Sequence, residues 1–407
     1  MTITILFLFI VGSLIYLQKI REGNWVNLIS ILMGPYFLIV LFNNLYVYKL
    51  GFYIISDDTL ILLLSSFFMF YIGTLVANIR KTMYTEEKCR RMLENYNMAK
   101  MNLFLTIVAV VGLLKVLFAY RQGIFQTDFD EMEGYVTSGI LGHLLFASFS
   151  VLPIYVLYCI EKKSYKLTIP VVAIFFVTFC GFIKYTIMGL LVSTFLFIAQ
   201  YRVNLIKKSM ILLLFFVVFF FFANYALGFA IAGSEVDPSF YLGHFWKYFS
   251  GSVIYCNYNF TSGISVGIDM GTKFMTFLCA LPNMFLSIFA EPLFPYKLLP
   301  MLPVSNFGEE SNVVDAVGYL FPSKADEIDI VLFYLLMCLI GSLFAFLYKK
   351  HNSIHKKYFD TFLSNLMCYF LFFSFFGTFY VNSAPWEILV WSMFFPNYFV
   401  KRKQIII

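Results

Sequence analysis

The side chains that could carry out chemistry include two small clusters in one long polar segment of the chain. One cluster is His244 and Lys247, in YLGHFWKYF, and the other is Asn312 and Asp315, in NVVD. Within each cluster the two residues are three positions apart, and His244 and Lys247 lie one turn apart if YLGHFWKYF is helical. A histidine or a carboxylate beside a hydroxyl group can accept its proton. We predict His244 and Asp315 as catalytic residues, and Lys247 and Asn312 as substrate-binding residues.

Three further cations lie in or beside apolar stretches. Lys115 is inside one such stretch, Arg121 directly follows it, and Lys184 is the one cation in CGFIKYTIMGLL. A cation at membrane depth is costly and therefore marks a candidate functional site. Lys115 and Arg121 can equally extend to the membrane surface, and His244 and Lys247 also fit an amphipathic helix with an aromatic belt. Lys184 is the strongest of these three candidates for a functional role, because its surroundings are otherwise apolar.

Composition excludes a soluble enzyme. Of the 407 residues, 61% are hydrophobic and 13% are charged, where a soluble domain has roughly 25% charged residues. The P-loop, HExxH and CxxC motifs are absent. Two of the four histidines, His351 and His355, fall in a basic loop, so we expect neither a metal cage nor a cofactor.

The elements that must position these residues are apolar helices. Runs of about 17 to 25 apolar residues are long enough to cross a bilayer, and alternating ten-residue segments typical of a β-barrel are absent. The eleven predicted spans are 2–18, 25–46, 58–78, 101–120, 140–160, 167–183, 185–200, 209–231, 329–348, 359–381 and 385–399. The fold class is therefore all-α and polytopic, with about eleven transmembrane helices.

Lysine and arginine orient this array. Most of the 29 basic residues fall in alternate loops, which the positive-inside rule assigns to the cytoplasm, with the N-terminus outside. The net charge of +6 thus reflects loop placement and not affinity for nucleic acid. The chain divides into an eight-span bundle (1–231), a large outer segment with short helices (232–327) and three C-terminal spans (328–407).

One apolar stretch inside the outer segment resembles a further span. Residues 274–290 carry no charge, but a crossing here would invert all the later basic loops. We therefore predict an interfacial or re-entrant element that is broken near Pro282. Cys256 and Cys279 both lie in the outer segment, and the sequence leaves open whether they form a disulfide.

With these features the chain resembles the Wzy family of O-antigen and capsule repeat-unit polymerases. The resemblance rests on the number of spans, the large outer loop before the third-last span, the cation at Gly181 to Lys184, and Asn312 and Val313 followed by Asp326 and Asp329. Many members have arginine where this chain has Lys184. The resemblance extends over most of the chain in topology, while its motifs are loose.

The resemblance implies a glycosyltransferase of the bacterial inner membrane with its active site facing the periplasm. Its expected partners are undecaprenyl-diphosphate-linked glycans as donor and acceptor, membrane lipids and a chain-length regulator. Lys184, Arg121, Lys115 and Lys247 would bind the diphosphate or the glycan, together with Asn312, because cations stabilise the charge of a leaving diphosphate. Aromatic rings around His244 suit the apolar faces of sugars.

Two other functions remain open. A flippase for lipid-linked oligosaccharides would place the cations in a bundle lumen, although internal repeats and several charges in mid-span, both usual in transporters, are not found. An O-antigen ligase has a similar topology and uses the same donor.

Overall fold

The computed structural model describes most of the chain. The described residues are 1–77, 86–124, 135–136, 139–181, 184–232, 238–261, 270–286, 291–296, 299–322, 327–353 and 360–401. The fold is all-α and 82% helical, which confirms the predicted class. Six helices in these ranges are long and apolar enough to span a membrane, which supports a multi-pass membrane protein: Thr2–Glu22, Leu28–Leu45, Asp57–Leu75, Met98–Arg121, Gly139–Lys162 and Glu327–Lys349.

The described part of the chain contains sixteen α-helices. In chain order they are α1 (Thr2–Glu22), α2 (Leu28–Leu45), α3 (Asp57–Leu75), α4 (Glu86–Glu94), α5 (Met98–Arg121), α6 (Gly139–Lys162), α7 (Ile169–Cys180), α8 (Lys184–Tyr201), α9 (Ile206–Ala232), α10 (Pro238–Tyr255), α11 (Tyr258–Thr261), α12 (Met270–Leu286), α13 (Ala316–Leu320), α14 (Glu327–Ser353), α15 (Asp360–Leu366) and α16 (Ser383–Tyr398). A short antiparallel ribbon pairs β1 (Leu302–Pro303) with β2 (Glu310–Ser311).

Polar caps define several helix ends. The Asn27 side chain accepts a hydrogen bond from the Ser30 amide (2.9 Å) at the start of α2, and the Ser56 hydroxyl accepts one from the Thr59 amide (3.3 Å) at the start of α3. Such caps satisfy backbone donors that the first helical turn leaves without partners. α1 ends at Gly23, whose φ of 74° is the left-handed conformation that glycine adopts without strain. The apolar runs thus begin and end as helices for local reasons.

Each predicted apolar stretch contains a helix, but two expectations about continuity are wrong. α12 continues through Pro282 to Leu286, so the predicted break is not there. A proline in a helix removes only one N–H donor, and α2 and α6 also contain a proline (Pro35 and Pro153).

The second difference concerns the predicted span 359–381. α15 ends at Leu366 and is followed by a π turn (Met367–Leu371) and two 3-10 turns (Phe372–Phe375 and Phe379–Val381). The Phe375 carbonyl accepts a hydrogen bond from the Ser252 hydroxyl. Irregular backbone among apolar helices requires such partners.

The described residues group into two compact units by contact. Unit 1 takes residues from 1–82, 239–355 and 369–386, and unit 2 takes residues from 83–238, 356–368 and 387–407. These units follow spatial contacts, whereas the predicted division at residues 231 and 327 follows membrane topology and remains a prediction.

In unit 1, α3 and α14 pack at very short range. A Cβ atom on Gly73 would lie 2.1 Å from the Cys338 carbonyl oxygen, and one on Gly341 would lie 2.2 Å from the Phe70 carbonyl oxygen. The Ser342 hydroxyl donates to the Gly73 carbonyl (3.1 Å) across the same interface. Small residues allow this approach, which is a common basis of helix association in membranes.

Also in unit 1, the connection between α2 and α3 is joined to the segment before α13. The Tyr53 amide donates to the Val304 carbonyl (3.0 Å), and the Asn306 amide donates to the Gly51 carbonyl (2.8 Å). Asn257 receives a hydrogen bond from the Ser56 amide (2.9 Å). These bonds join residues of the 232–327 segment to the ends of apolar helices.

Unit 2 has a comparable connection between distant parts of the chain. The Asn97 amide donates to the Phe399 carbonyl (2.7 Å), and the Lys401 amide donates to the Asn95 carbonyl (2.8 Å). The segment before α5 is thereby joined to the end of α16.

We expect Gly341→Ala to lower the thermal unfolding midpoint of the purified protein in detergent. The added methyl group meets backbone and not a movable side chain, and such overpacking typically costs about 1–3 kcal/mol. Gly34→Ala in α2 is the matched control, since no atom lies within 4 Å of the added Cβ. Equal midpoints for the two variants would contradict the close contact between α3 and α14.

Candidate functional site

In unit 1, helix α10 brings His244 and Lys247 to the same carboxylate. His244 Nδ1 lies 3.9 Å and Lys247 Nζ lies 3.3 Å from Glu309 Oε2. The His244, Lys247 and Glu309 side chains are 14%, 24% and 13% exposed. We call these three residues the outer cluster. Two cationic or basic groups and one carboxylate are thus held in a partly dry environment, where charge interactions are stronger than in water.

Glu309 is the member of the outer cluster that sequence reasoning missed. Gly308, at φ 91°, makes the turn that leads into it. The Glu309 amide donates to the Ser305 hydroxyl (2.9 Å), and its carbonyl accepts from the Val304 amide (2.7 Å). Several carboxylates stand in this stretch of sequence, and the turn predicted at Gly308 is the local signal that lies directly before Glu309.

Aromatic rings surround His244. Its ring stacks on Phe240 (centroids 5.0 Å apart, 17° between planes) and meets Tyr248 at a steep angle (5.0 Å, 66°). Tyr248 in turn stacks on Phe376 (5.9 Å). Flat apolar rings beside polar groups suit the alternating apolar faces and hydroxyls of sugars.

Asp315, the second predicted catalytic residue, is fully buried. Its Oδ2 accepts from the Tyr36 hydroxyl (3.1 Å) and its Oδ1 accepts from the Gly318 amide (3.0 Å), which caps α13. Burial raises the pKa of Asp315 to about 7, although the hydrogen bonds from Gly318 and Tyr36 act in the opposite direction. In this arrangement Asp315 has no surface from which to reach a substrate hydroxyl, and its predicted catalytic role remains untested.

Asn312 lies half-buried between β2 and α13. Because α13 begins only at Ala316, Asn312 and Asp315 do not share a helix. Asp315 requires extended backbone (φ −63°, ψ 162°) to act as a helix cap, and a residue in that conformation ends any helix before it.

The other predicted cations belong to unit 2. Lys115 is half-buried in α5, and its Nζ lies 5.1 Å from the centroid of the Tyr135 ring. Arg121 is the exposed last residue of α5. Lys184 begins α8, and its side chain lies outside the described part of the structure.

Unit 2 also contains a pair formed by a histidine and a glutamate that the sequence did not predict. His143 Nδ1 lies 2.6 Å from Glu387 Oε1, and the Trp391 indole N–H donates to the same oxygen (3.1 Å). The His143 side chain is 53% exposed, while that of Glu387 is 10% exposed.

Two further features concern ligands and disulfides. Within the described residues, no group of three or more His, Cys, Asp or Glu side chains is arranged to hold a metal ion. Cys256 and Cys279 are free, buried thiols, so no disulfide joins them. Cys256 lies instead beside Gly318, where an added Cβ would be 2.7 Å from its sulfur.

We expect Asp315→Asn to remove a pH dependence of stability. The folded protein keeps the proton of Asp315 up to about pH 7, whereas the unfolded chain loses it near the ordinary value of 3.8. The contribution to stability is therefore present at pH 4 and below and is lost as the pH rises through 7, on the order of a few kcal/mol.

The measurement is the thermal unfolding midpoint in detergent between pH 4 and pH 8. Asp315→Asn should lose less stability than the wild type over this range, because asparagine does not titrate. Its carbonyl oxygen can accept from the Gly318 amide and its NH2 group can donate to the Tyr36 hydroxyl oxygen. Asp58→Asn, at an exposed carboxylate in the first turn of α3, is the control and should follow the wild type. Parallel curves for wild type and Asp315→Asn would contradict the burial of a protonated Asp315.

Comparison of the chain with protein-family models, with curated proteins and with solved structures found no match.

Proposed function

We propose that the chain is a multi-pass glycosyltransferase of the bacterial inner membrane that polymerises undecaprenyl-diphosphate-linked repeat units into O-antigen or a similar surface polysaccharide. The observation that carries this proposal is the outer cluster: His244, Lys247 and Glu309, partly buried among aromatic rings. The cluster combines a proton acceptor, a cation and sugar-stacking surfaces in a segment predicted to lie outside. No nucleotide site is required, because the lipid-linked diphosphate is itself the leaving group.

The proposed topology has eleven spans with the N-terminus and residues 232–327 on the periplasmic side. Backbone hydrogen bonds support it, because bonded segments must lie on the same side of a membrane. Gly51 bonds Asn306, and six proposed spans separate these two residues. Asn97 bonds Phe399, with eight spans between them. Both counts are even, as the topology requires.

The number of spans also bears on whether α12 (Met270–Leu286) crosses the bilayer. If it crossed the bilayer, Gly51 and Asn306 would be separated by the six proposed spans and α12, an odd number that does not agree with their hydrogen bond. The proposed interfacial position also agrees with its exposed apolar side chains, which include Phe274 and Leu278.

In the proposed reaction, a hydroxyl oxygen of the acceptor sugar attacks the anomeric carbon of the donor glycan. The new C–O bond forms as the bond from that carbon to the diphosphate breaks, and the diphosphate leaves with the electron pair. His244 takes the hydroxyl proton, and the negative charge of Glu309 stabilises the imidazolium that results. Lys247 offers positive charge to the substrate.

The remaining predicted residues have separate roles in this proposal. Asp315 positions the segment that carries Glu309 and is not assigned a proton transfer. The predicted diphosphate-binding roles of Lys115, Arg121 and Lys184 concern unit 2 and stay predictions. Transport of a lipid-linked oligosaccharide and ligation of O-antigen are the alternatives.

We expect a membrane-impermeant maleimide to label Lys49→Cys and Glu310→Cys in intact spheroplasts, because both positions are exposed and are assigned to the periplasm. Glu94→Cys is exposed but assigned to the cytoplasm, so it should react only after permeabilisation. The unsubstituted protein controls for its own cysteines. Labelling of Glu94→Cys from outside would overturn the orientation.

We expect deletion of the gene in its host to leave surface glycan that carries single repeat units. A ligase deletion would leave no attached glycan, and a flippase deletion would trap the unit on the inner leaflet. Either of these outcomes would replace the polymerase assignment with the corresponding alternative. The readout is the length distribution of the surface polysaccharide.

Complementation of that deletion tests the outer cluster. His244→Ala and Glu309→Gln should each lower the amount of polymer more than tenfold, which corresponds to about 1.4 kcal/mol of barrier, at unchanged protein level in the membrane. Glu310→Gln is the matched control, because Glu310 is the exposed neighbour of Glu309. Normal chain lengths in both cluster variants would remove the reaction from this site.

A further inference from the structure

The short helix α13 (Ala316–Leu320) is held at its two ends by buried ionisable side chains. Asp315 caps its N-terminus, as described above. At the other end Lys273 of α12, 1% exposed, donates a hydrogen bond from Nζ to the Phe321 carbonyl (2.8 Å). A cation at the C-terminus of a helix is electrostatically favourable, which accounts for part of its position.

The hydroxyls of Tyr319 and Tyr380, two tyrosines whose rings are in contact, are not explained by capping. Tyr319 is 0% exposed and Tyr380 is 8% exposed, and their ring centroids are 6.2 Å apart. Lys273 Nζ lies 5.4 Å from the centroid of the Tyr319 ring. Within the described part of the chain neither hydroxyl has a hydrogen-bond partner. A buried polar group without a partner typically costs about 1–3 kcal/mol, so a structural role alone would favour phenylalanine at both positions.

The chemistry of these three groups favours an oxyanion. An ammonium group supplies three N–H donors, and each phenol supplies an O–H donor. Burial, and next the neighbouring Tyr296, raise the pKa of Tyr319, so its hydroxyl keeps its proton. Positive charge together with several donors is the composition of a phosphate site.

The helix that carries Lys273 indicates where the phosphate comes from. On α12 the buried face includes Lys273 and Thr276, whereas Phe274, Met275 and Leu278 on the other face are 53%, 36% and 47% exposed. An amphipathic helix with large exposed apolar side chains is suited to lie at a membrane surface. A ligand reached beneath this helix from the bilayer would have an apolar tail.

We propose that Lys273, Tyr319 and Tyr380 bind the phosphate oxygens of a phosphate-bearing lipid. Because the three groups are closed from solvent, binding separates α12 from α13, and Lys273 exchanges the Phe321 carbonyl for a phosphate oxygen. The identification of this lipid with the undecaprenyl diphosphate carrier rests on the proposed function. Binding of the phosphate itself does not require glycan transfer.

The test is ligand-dependent thermal unfolding of the full-length protein in detergent. The probes are geranylgeranyl diphosphate, inorganic pyrophosphate and geranylgeraniol. We expect the diphosphate lipid to raise the unfolding midpoint of the wild type, with pyrophosphate at least tenfold weaker and the alcohol without effect. Lys273→Met, Tyr319→Phe and Tyr380→Phe should each weaken the apparent affinity for the lipid at least tenfold.

Two controls separate binding from folding. Lys49→Met removes an exposed lysine, and Tyr258→Phe removes a hydroxyl that donates to the Pro303 carbonyl (2.6 Å), and both should bind as the wild type does. If Lys273→Met fails to fold because α13 loses its cap, the two tyrosine variants test the proposal by themselves. Removing a hydroxyl that has no hydrogen-bond partner does not destabilise the protein in the absence of the lipid.

Three results would overturn the proposal. They are no shift in the wild type, unchanged affinity in both tyrosine variants, and an equal response to pyrophosphate, which would indicate a free anion and not a lipid. Because the assay needs no sugar, lipid binding without polymerisation would reject the proposed function and leave this site standing. Polymerisation with unaltered lipid binding in the tyrosine variants would reject this site and leave the proposed function standing.

Discussion

The carboxyl group of Asp315 is closed from solvent, and much of unit 1 is arranged around the hydrogen bonds that make this burial tolerable. A buried carboxyl without donors would be strongly destabilising. Tyr36 supplies one donor from α2 and the Gly318 amide supplies the other from α13. Position 318 accepts only glycine, because a Cβ there would lie 2.6 Å from Asp315 Oδ1. The Asp315 carboxyl group thus joins the polar segment to the apolar helix α2.

Two further contacts connect Asp315 and its helix α13 to neighbouring helices. The Asp315 amide donates to the Ser252 carbonyl (3.3 Å), which holds α10 against the start of α13. At the far end of α13, Lys273 connects the helix to α12. The Asp315 side chain caps the N-terminus of α13 by a hydrogen bond, and the Lys273 cation interacts favourably with the partial negative charge at the C-terminus. A five-residue helix is not stable by itself, so these side-chain contacts and the packing around them maintain it.

The outer cluster differs from Asp315 in how its charges are compensated. His244, Lys247 and Glu309 keep part of their surface and compensate one another, so the cluster can exchange an internal contact for a contact with substrate. Asp315 is satisfied by neutral donors and is closed. A reactive group needs access as well as an altered environment, and for this reason the proton transfer is assigned to His244.

The sequence by itself determined the helices, because long apolar runs in this chain have no stable alternative to helical backbone, and it predicted that His244 and Lys247 share a helix. Only the tertiary structure decided that Glu309 is their partner, that Asp315 and Lys273 are buried at opposite ends of α13, and that α12 continues through Pro282. It also showed that residues 367–381 leave the helical path predicted for them. A long apolar run predicts a helix because backbone groups without hydrogen-bond partners are costly in lipid. Which charged side chains pair depends on which segments meet in space, and the neighbouring residues in the sequence do not determine that.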